Sequence, residues 1–225
     1  MPRFNPQDPI PFVDFDEAVS THARDHACEV DQWLGFKIEA IESQVCQQEK
    51  LGEIKSHETW SHVDSQIFST PYLELRLILE LLNPQPAEQF VDLGSGYCRM
   101  AFVLERYFKG VTFLGIECVE LRVSEALRVF KLNNLDHAHV ICADLVDLNF
   151  EIPLGDYYFI YDFGTRDEIA VILEKIKTMR VRNQKNFKLV GRGQRTLSCI
   201  ESQHRSWLFK EGPLWQHSEF AIYFT

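Results

Sequence analysis

The sequence predicts a three-layer α/β fold. A mostly parallel sheet of about seven strands ends in an antiparallel C-terminal hairpin, and a helical extension precedes it. Three observations predict this. Beyond Pro86, short apolar and β-branched runs alternate with helix-length stretches, the pattern of parallel strands joined by helical crossovers. The first of these strands ends in an acid, followed by a turn with glycines at alternate positions. The last two strand-like runs have only a turn through Gly212-Pro213 between them, which fits an antiparallel pair at a sheet edge.

The elements follow in order. The first twelve residues read as irregular, and Asp14 to Val30 as a helix. Phe36, Ile38, Ile41 and Val45 are spaced for one apolar helix face. A further helix runs from about Pro71 to Leu82 and stops at Asn83-Pro84, because proline disfavours helix in the residue before it. The chain divides there, into an N-terminal helical cap over residues 1–85 and a ligand-binding domain over residues 86–225. Strands are expected at Gln89 to Leu93, Val111 to Ile116, His139 to Cys142, Tyr157 to Tyr161 and Phe187 to Val190. Helices between them are expected at Arg99 to Phe108, Val119 to Asn133 and Arg166 to Arg180. Gly191-Arg192-Gly193 reads as a turn or a substrate loop, and Ser206 to Lys210 with Glu219 to Phe224 as the closing hairpin.

Length and composition bound the function. The 225 residues suit one α/β domain with an extension, and 45% apolar with 25% charged residues is ordinary for a globular chain. No apolar run approaches the ~20 residues that span a bilayer, and Met1 to Phe15 lacks the layout of a secretory signal, so a cytoplasmic protein without a membrane partner is expected. Six cysteines with no C-x-x-C pair read as buried thiols. The net charge of −10 argues against general nucleic-acid binding. The charge is uneven: residues 174–205 hold nine basic and two acidic side chains, either an ordinary solvated face or a basic rim for an anionic ligand. His22, His26 and Cys28 share a helix but have no evident fourth ligand, so a solvated face is expected and no metal site.

The informative stretch is Phe90-Val91-Asp92-Leu93-Gly94-Ser95-Gly96-Tyr97-Cys98-Arg99. Gly94 and Gly96 let a ligand approach the main chain, and the helix beyond offers free N–H groups and a positive dipole end. A dinucleotide loop wants G-x-G-x-x-G/A; counted from Gly94 its last position is Arg99, so that pattern fails. A methyltransferase loop reads D/E-x-G-x-G-x-G; Asp92, Gly94 and Gly96 match, and Cys98 stands for the last glycine. Glu117 ends the second strand, twenty-one residues after Gly96, where an acid accepts from ribose hydroxyls. Asp144 lies just beyond the third strand, where an acid accepts from an adenine amine.

From about Phe68 onward the chain resembles the class I, Rossmann-like S-adenosylmethionine-dependent methyltransferases. The resemblance implies S-adenosylmethionine as cofactor. The loop of Asp92, Leu93, Gly94, Ser95 and Gly96 would hold its methionine part, Glu117 the ribose, and Asp144 with Leu145 the adenine, with Cys118 a further cofactor-binding residue. It also implies an antiparallel last strand inserted into the sheet. A narrower stretch, Phe68-Ser69-Thr70-Pro71-Tyr72-Leu73-Glu74, is similar to the non-SET lysine methyltransferases of the telomeric-silencing type and their mitochondrial relatives. On that likeness Thr70, Tyr72 and Glu74 would form a lid; read from the residues alone, Thr70 caps a helix with Pro71 at its first position.

The fourth strand ends in Tyr161-Asp162-Phe163-Gly164-Thr165, where this fold presents residues to its substrate. Only Asp162 matches the [D/N]-P-P-[Y/F] signature of base- and amide-methylating enzymes, which argues against DNA amine methylation. Asp162 is the candidate to accept a proton or hold an amine, with Tyr161 or Phe163 packed near the methyl group. Its alternative role is to cap the helix from Arg166. Trp215 and His217 are further candidates for the substrate mouth. The sequence thus implies methyl transfer to an unidentified acceptor, a protein lysine or a small amine or hydroxyl. A binding module without catalysis, and more remotely a nicotinamide-dependent oxidoreductase, are the alternatives.

Overall fold

The computed structural model describes residues 4–54, 68–210 and 220–225. The N-terminal part supplies α1 (Phe15–Ala18), α2 (Thr21–Leu34), α3 (Ile38–Lys50) and α4 (Tyr72–Leu82). The helix expected across Asp14 to Val30 is therefore broken. Asp14 caps α1 by accepting from Glu17 N, and the Ser20 hydroxyl donates to Glu17 O at 2.8 Å, so local side-chain bonds end α1 before α2 begins. Gly35, in the left-handed conformation at φ 88°, ends α2, with Phe36 N donating back to Asp31 O. The α4 helix starts one residue later than expected: Pro71 sits at its N-cap and no side chain caps it, so Thr70 does not.

The remaining elements alternate: β1 (Gln89–Leu93), α5 (Arg99–Tyr107), β2 (Thr112–Glu117), α6 (Glu120–Asn133), β3 (Ala138–Cys142), β4 (Tyr157–Tyr161), α7 (Arg166–Asn183), β5 (Lys188–Arg192), α8 (Gln194–Cys199), β6 (Phe209–Lys210) and β7 (Phe220–Phe224). The sheet order is β3-β2-β1-β4-β5-β7-β6, the first five parallel and β7 antiparallel to both its neighbours. The order reverses between β1 and β4, and the carboxyl ends around that switch point open a crevice.

Strand residues alternate between two cores. Phe90, Phe113, Val140, Tyr157 and Phe159 face the core shared with α1 to α6, and Val91, Leu93, Tyr158 and Ile160 face the one beneath α7 and α8. Helices α1 to α4 thus bury their apolar faces against the same side of the sheet as α5 and α6.

Two expectations near the C-terminus change. Gly191 and Arg192 belong to β5 and are not a loop; a Cβ on Gly191 would meet Ile200 Cδ1 at 2.8 Å, because α8 packs directly on the strand. The α8 helix was not expected, and it runs on into a π-helical turn at Ile200–His204. That turn shortens the strand expected from Ser206 to its last two residues. The Gly212-Pro213 turn, Trp215 and His217 lie outside the described residues.

Only Cys98 and Cys199 are buried, and Cys142 is exposed because β3 is the sheet's edge strand. His26 is also not on a solvated face: it is fully buried on α2, and burial lowers its pKa against the opposing pull of Glu29. Among the described residues, no helix is long and apolar enough to cross a membrane and no group of side chains could hold a metal ion.

Candidate cofactor-binding and active site

A cavity of about 280 Å³ opens at the carboxyl ends of β1, β2 and β4. Its floor is the turn after β1. Gly94 N and Ser95 N both donate to Ile116 O at 2.9 Å, which fastens the turn to β2. Gly96 has φ 52°, and a Cβ there would meet no atom within 4 Å, so its backbone borders open cavity. Cys98, at the third glycine position, also takes the left-handed conformation, with φ 57°. A non-glycine residue gives up roughly 1–2 kcal/mol there. Contacts offset it: Cys98 N donates to Ser95 O at 2.8 Å, and its thiol lies 3.3 Å from Ser95 Oγ. Both side chains occupy the space over Gly115, where a Cβ would come within 2.6 Å of Ser95 Oγ and 2.9 Å of Cys98 Sγ.

The acids expected at three strand ends meet in this cavity. Glu117 accepts from Gly96 N at 2.8 Å and from Val119 N at 2.9 Å, which joins the first turn to the end of β2. Asp92 is buried beside it. Burial first, and then the charge of Glu117, push the Asp92 carboxyl up to about 8. Asp144 accepts from Val146 N at 2.9 Å, a local turn that leads Leu145 and Val146 along the cavity wall. From α7, Lys175 Nζ donates to the carbonyls of Leu145, Asp147 and Phe150 and so gathers the loop after β3. Cys118 lines the same wall.

Tyr161, Asp162 and Phe163 line the opposite wall. The Phe163 ring covers the first turn, since a Cβ on Gly94 would meet it at 3.1 Å. Asp162 does not cap α7: Thr165 does, in a reciprocal box with Glu168. It holds the start of α8 instead, accepting from Arg195 N at 3.1 Å and Thr196 N at 2.7 Å. Gly193 makes this possible, because a Cβ there would fall 2.3 Å from the Asp162 carboxyl carbon.

Three residues expected in the site face elsewhere. Leu93 points into the α7 and α8 core, because strand side chains alternate and Asp92 takes the cavity side. Tyr72 is buried against α2, its hydroxyl donating to Asp31 at 2.7 Å. Glu74 accepts two bonds from Arg192, at 2.7 and 2.8 Å, and both side chains are buried. Of the expected lid only Thr70 lines the cavity, with Phe68, Ser69 and, from α4, Leu75.

Several lining residues were not anticipated, among them Tyr97, Met100, Arg122, Phe159, Glu168 and Arg195. Arg99, which in the sequence served only against a dinucleotide site, lines the cavity while its guanidinium grips Asp31. Burial works against its charge, and Asp31 more than restores it, so its pKa rises. A loop acid followed by an arginine that opens a helix was the available signal; the Asp31 partner, far away in sequence, was not. The basic stretch 174–205 is largely engaged: Lys177, Arg182, Lys185, Arg192 and Arg205 each pair with a carboxylate.

No protein-family model and no curated protein sequence matches the chain. Solved structures do. TrmN from Thermus thermophilus is similar over 69% of this chain with TM-score 0.52 and 13% identity; the chain spans about half of that protein (48%). The PH0226 protein from Pyrococcus horikoshii is similar over 65% of this chain and 85% of its own, with TM-score 0.51 and 17% identity. A TehB-like S-adenosylmethionine-dependent methyltransferase from Corynebacterium glutamicum is similar over 66% of this chain and 85% of its own, with TM-score 0.49 and 18% identity. With five parallel strands ordered β3-β2-β1-β4-β5 and an antiparallel β7 set between β5 and β6, the chain has a Rossmann-like fold, which it shares with TrmN and the PH0226 protein.

Proposed function

We propose that the chain binds S-adenosylmethionine in this cavity and transfers its methyl group to an amine or hydroxyl acceptor. The observation that carries the reading is that Gly96, Glu117 and Asp144, from three separate strand ends, line one cavity. The residues present suit the cofactor. Open space beside Gly96 lets a ligand reach the main chain. Two buried acids, Glu117 and the Asp92 that burial and the charge of Glu117 keep protonated, make a corner where a positively charged ligand favours the second ionisation. Glu117 would hold the ribose, Asp144 with Leu145 the adenine, and the turn at Gly94 and Gly96 the amino-acid end.

When bound, the cofactor supplies a methyl group already activated on a sulfonium. The protein's share is orientation and exclusion of water. Tyr161 and Phe163 give the acceptor side an aromatic wall, and Asp162 and Glu168 stand there against Arg195. That balance suits an amine, on a protein lysine or a small molecule, better than an anionic strand. Both Asp162 oxygens already accept backbone N–H bonds, so its part in this reading is to anchor α8 and fix Tyr161 and Phe163 on either side of it. That engagement also favours a second reading, a module that binds the cofactor without turnover.

Calorimetry with S-adenosylmethionine, S-adenosylhomocysteine and NAD tests the site. Binding of the first two and not of NAD is expected, and the reverse overturns the proposal. Transfer of labelled methyl to lysine peptides or small amines separates enzyme from module. In Asp162→Asn, turnover is expected within about tenfold of the parent, with a melting temperature lower by several degrees. A fall of ~10²-fold or more at unchanged stability would make Asp162 a proton acceptor.

A further inference from the structure

The α3 helix reaches the cavity floor through one carboxylate. Glu42 accepts from Arg122 Nε and Nη2 at 2.9 Å each, and from the Tyr97 hydroxyl at 2.6 Å. Tyr97 belongs to the turn after β1, and Arg122 opens α6 just beyond β2. Glu42 therefore grips both segments that flank Glu117. The Arg122 guanidinium lies over the Phe68 ring, 4.9 Å from its centroid, and its Nη1 is 3.9 Å from Glu117 Oε1.

Arg122 thus stands between two carboxylates and favours one. Its fork fits Glu42 with two parallel bonds, the geometry that an arginine and a carboxylate prefer. Its contact with Glu117 is longer and single. The difference matters because Glu117 has little to spare. Each of its oxygens already accepts one backbone N–H, Oε1 also accepts from the Cys118 thiol at 3.7 Å, and a ribose diol needs the lone pairs that remain. With the charge on Glu42 withdrawn, the same guanidinium turns to Glu117 and takes them.

We propose that Glu42 is a positioning residue for the sugar: it holds Arg122 and Tyr97 so that Glu117 stays open to the two hydroxyls of a ribose. This rests on the reading of the cavity as an S-adenosylmethionine site. It gives the N-terminal extension a direct part in cofactor selection.

The test compares calorimetric affinities of the full chain for S-adenosylhomocysteine and its 2′,3′-dideoxy analogue. The parent chain should prefer the ribose ligand; if it binds neither, the cofactor reading fails before this one is reached. Glu42→Gln should weaken the ribose ligand by about tenfold or more, and the dideoxy ligand by less than about twofold. Adding Arg122→Met to Glu42→Gln should return part of the lost preference, since the competing guanidinium is gone. Glu42→Asp keeps the charge but withdraws the fork, and should show a smaller loss confined to the ribose ligand. If Glu42→Gln does not fold, Glu42→Asp decides. Parent binding with unchanged preference in the variants, or equal losses for both ligands, overturns the positioning role.

Discussion

Asp92 carries a proton at neutral pH, and that sets how the site responds to acidity. Its carboxyl titrates at about 8 because it is buried first and lies beside Glu117 second. A ligand bearing a sulfonium and an ammonium favours the ionised form, so its binding expels the proton. Affinity for S-adenosylmethionine should therefore rise with pH and level off above about 8. Calorimetry in buffers of different ionisation heat should show proton release near pH 7. Asp92→Asn should abolish both effects, and a flat profile in the parent chain would refute the assignment. The sign for stability is opposite. The folded pKa lies above the ordinary value of 3.8, so the group's contribution is full below 3.8 and is lost as pH rises through about 8. Asp92, Glu117 and Asp144 were legible in the sequence because each requirement is local, an acid at the end of an apolar run. Tyr72 and Glu74 were not, because their partners Asp31 and Arg192 lie 41 and 118 residues away.

Among the elements, α8 shows how a helix escapes a reading by pattern. Its six residues carry no capping side chain of their own, and Gly193 precedes them as an ordinary turn residue. The cap comes from Asp162 at the tip of β4, and only the folded sheet brings the two together. The core strands and α4 to α7, in contrast, were legible to within about three residues, because their apolar spacing alone dictates which face is buried. Gly193→Ala is the sharp test at this scale. The new Cβ would sit 2.3 Å from the Asp162 carboxyl carbon, at a φ of 82°. A loss of roughly 2–4 kcal/mol is expected, read as a lower midpoint in urea with unchanged slope. Methyl transfer should fall with it, since α8 and the Asp162 wall move together. An unchanged midpoint would mean that α8 is not held this way.

Across the whole molecule, the extension and the sheet share one apolar core and, among the described residues, two buried ion pairs and a part-buried third. Ala18, Ala27, Val30 and Ile38 pack in the same cluster as Phe90, Phe113 and Tyr157. Asp31 holds Arg99, Glu42 holds Arg122 and Glu74 holds Arg192. Removing one partner of a buried pair costs about 3–5 kcal/mol, and a domain's whole stability is of order 5–15 kcal/mol. A fragment of residues 54–225 strips Asp31 and Glu42 at once and uncovers the α4 face. It should show no cooperative thermal transition by circular dichroism, and should be cleaved at once by dilute protease. A fragment that melts like the full chain would establish that residues 54–225 fold without the helices before α4. The sequence signalled a boundary at Pro84-Gln85-Pro86 because proline punctuates the chain there; ion pairs that cross it leave no local mark.

Cys98 and Gly115 have a consequence of their own. The thiol lies where β2 offers no side chain, and Ser95 Oγ shares that space with it. An alanine at 115 would be barred by Ser95 as well as by the thiol, and a glycine at 98 would leave a void that an alanine at 115 still could not enter. Bulk can pass from the turn to β2 only if Ser95, Cys98 and Gly115 change together. Chains sharing this turn should therefore be sorted by all three positions, and never by the loop glycines alone.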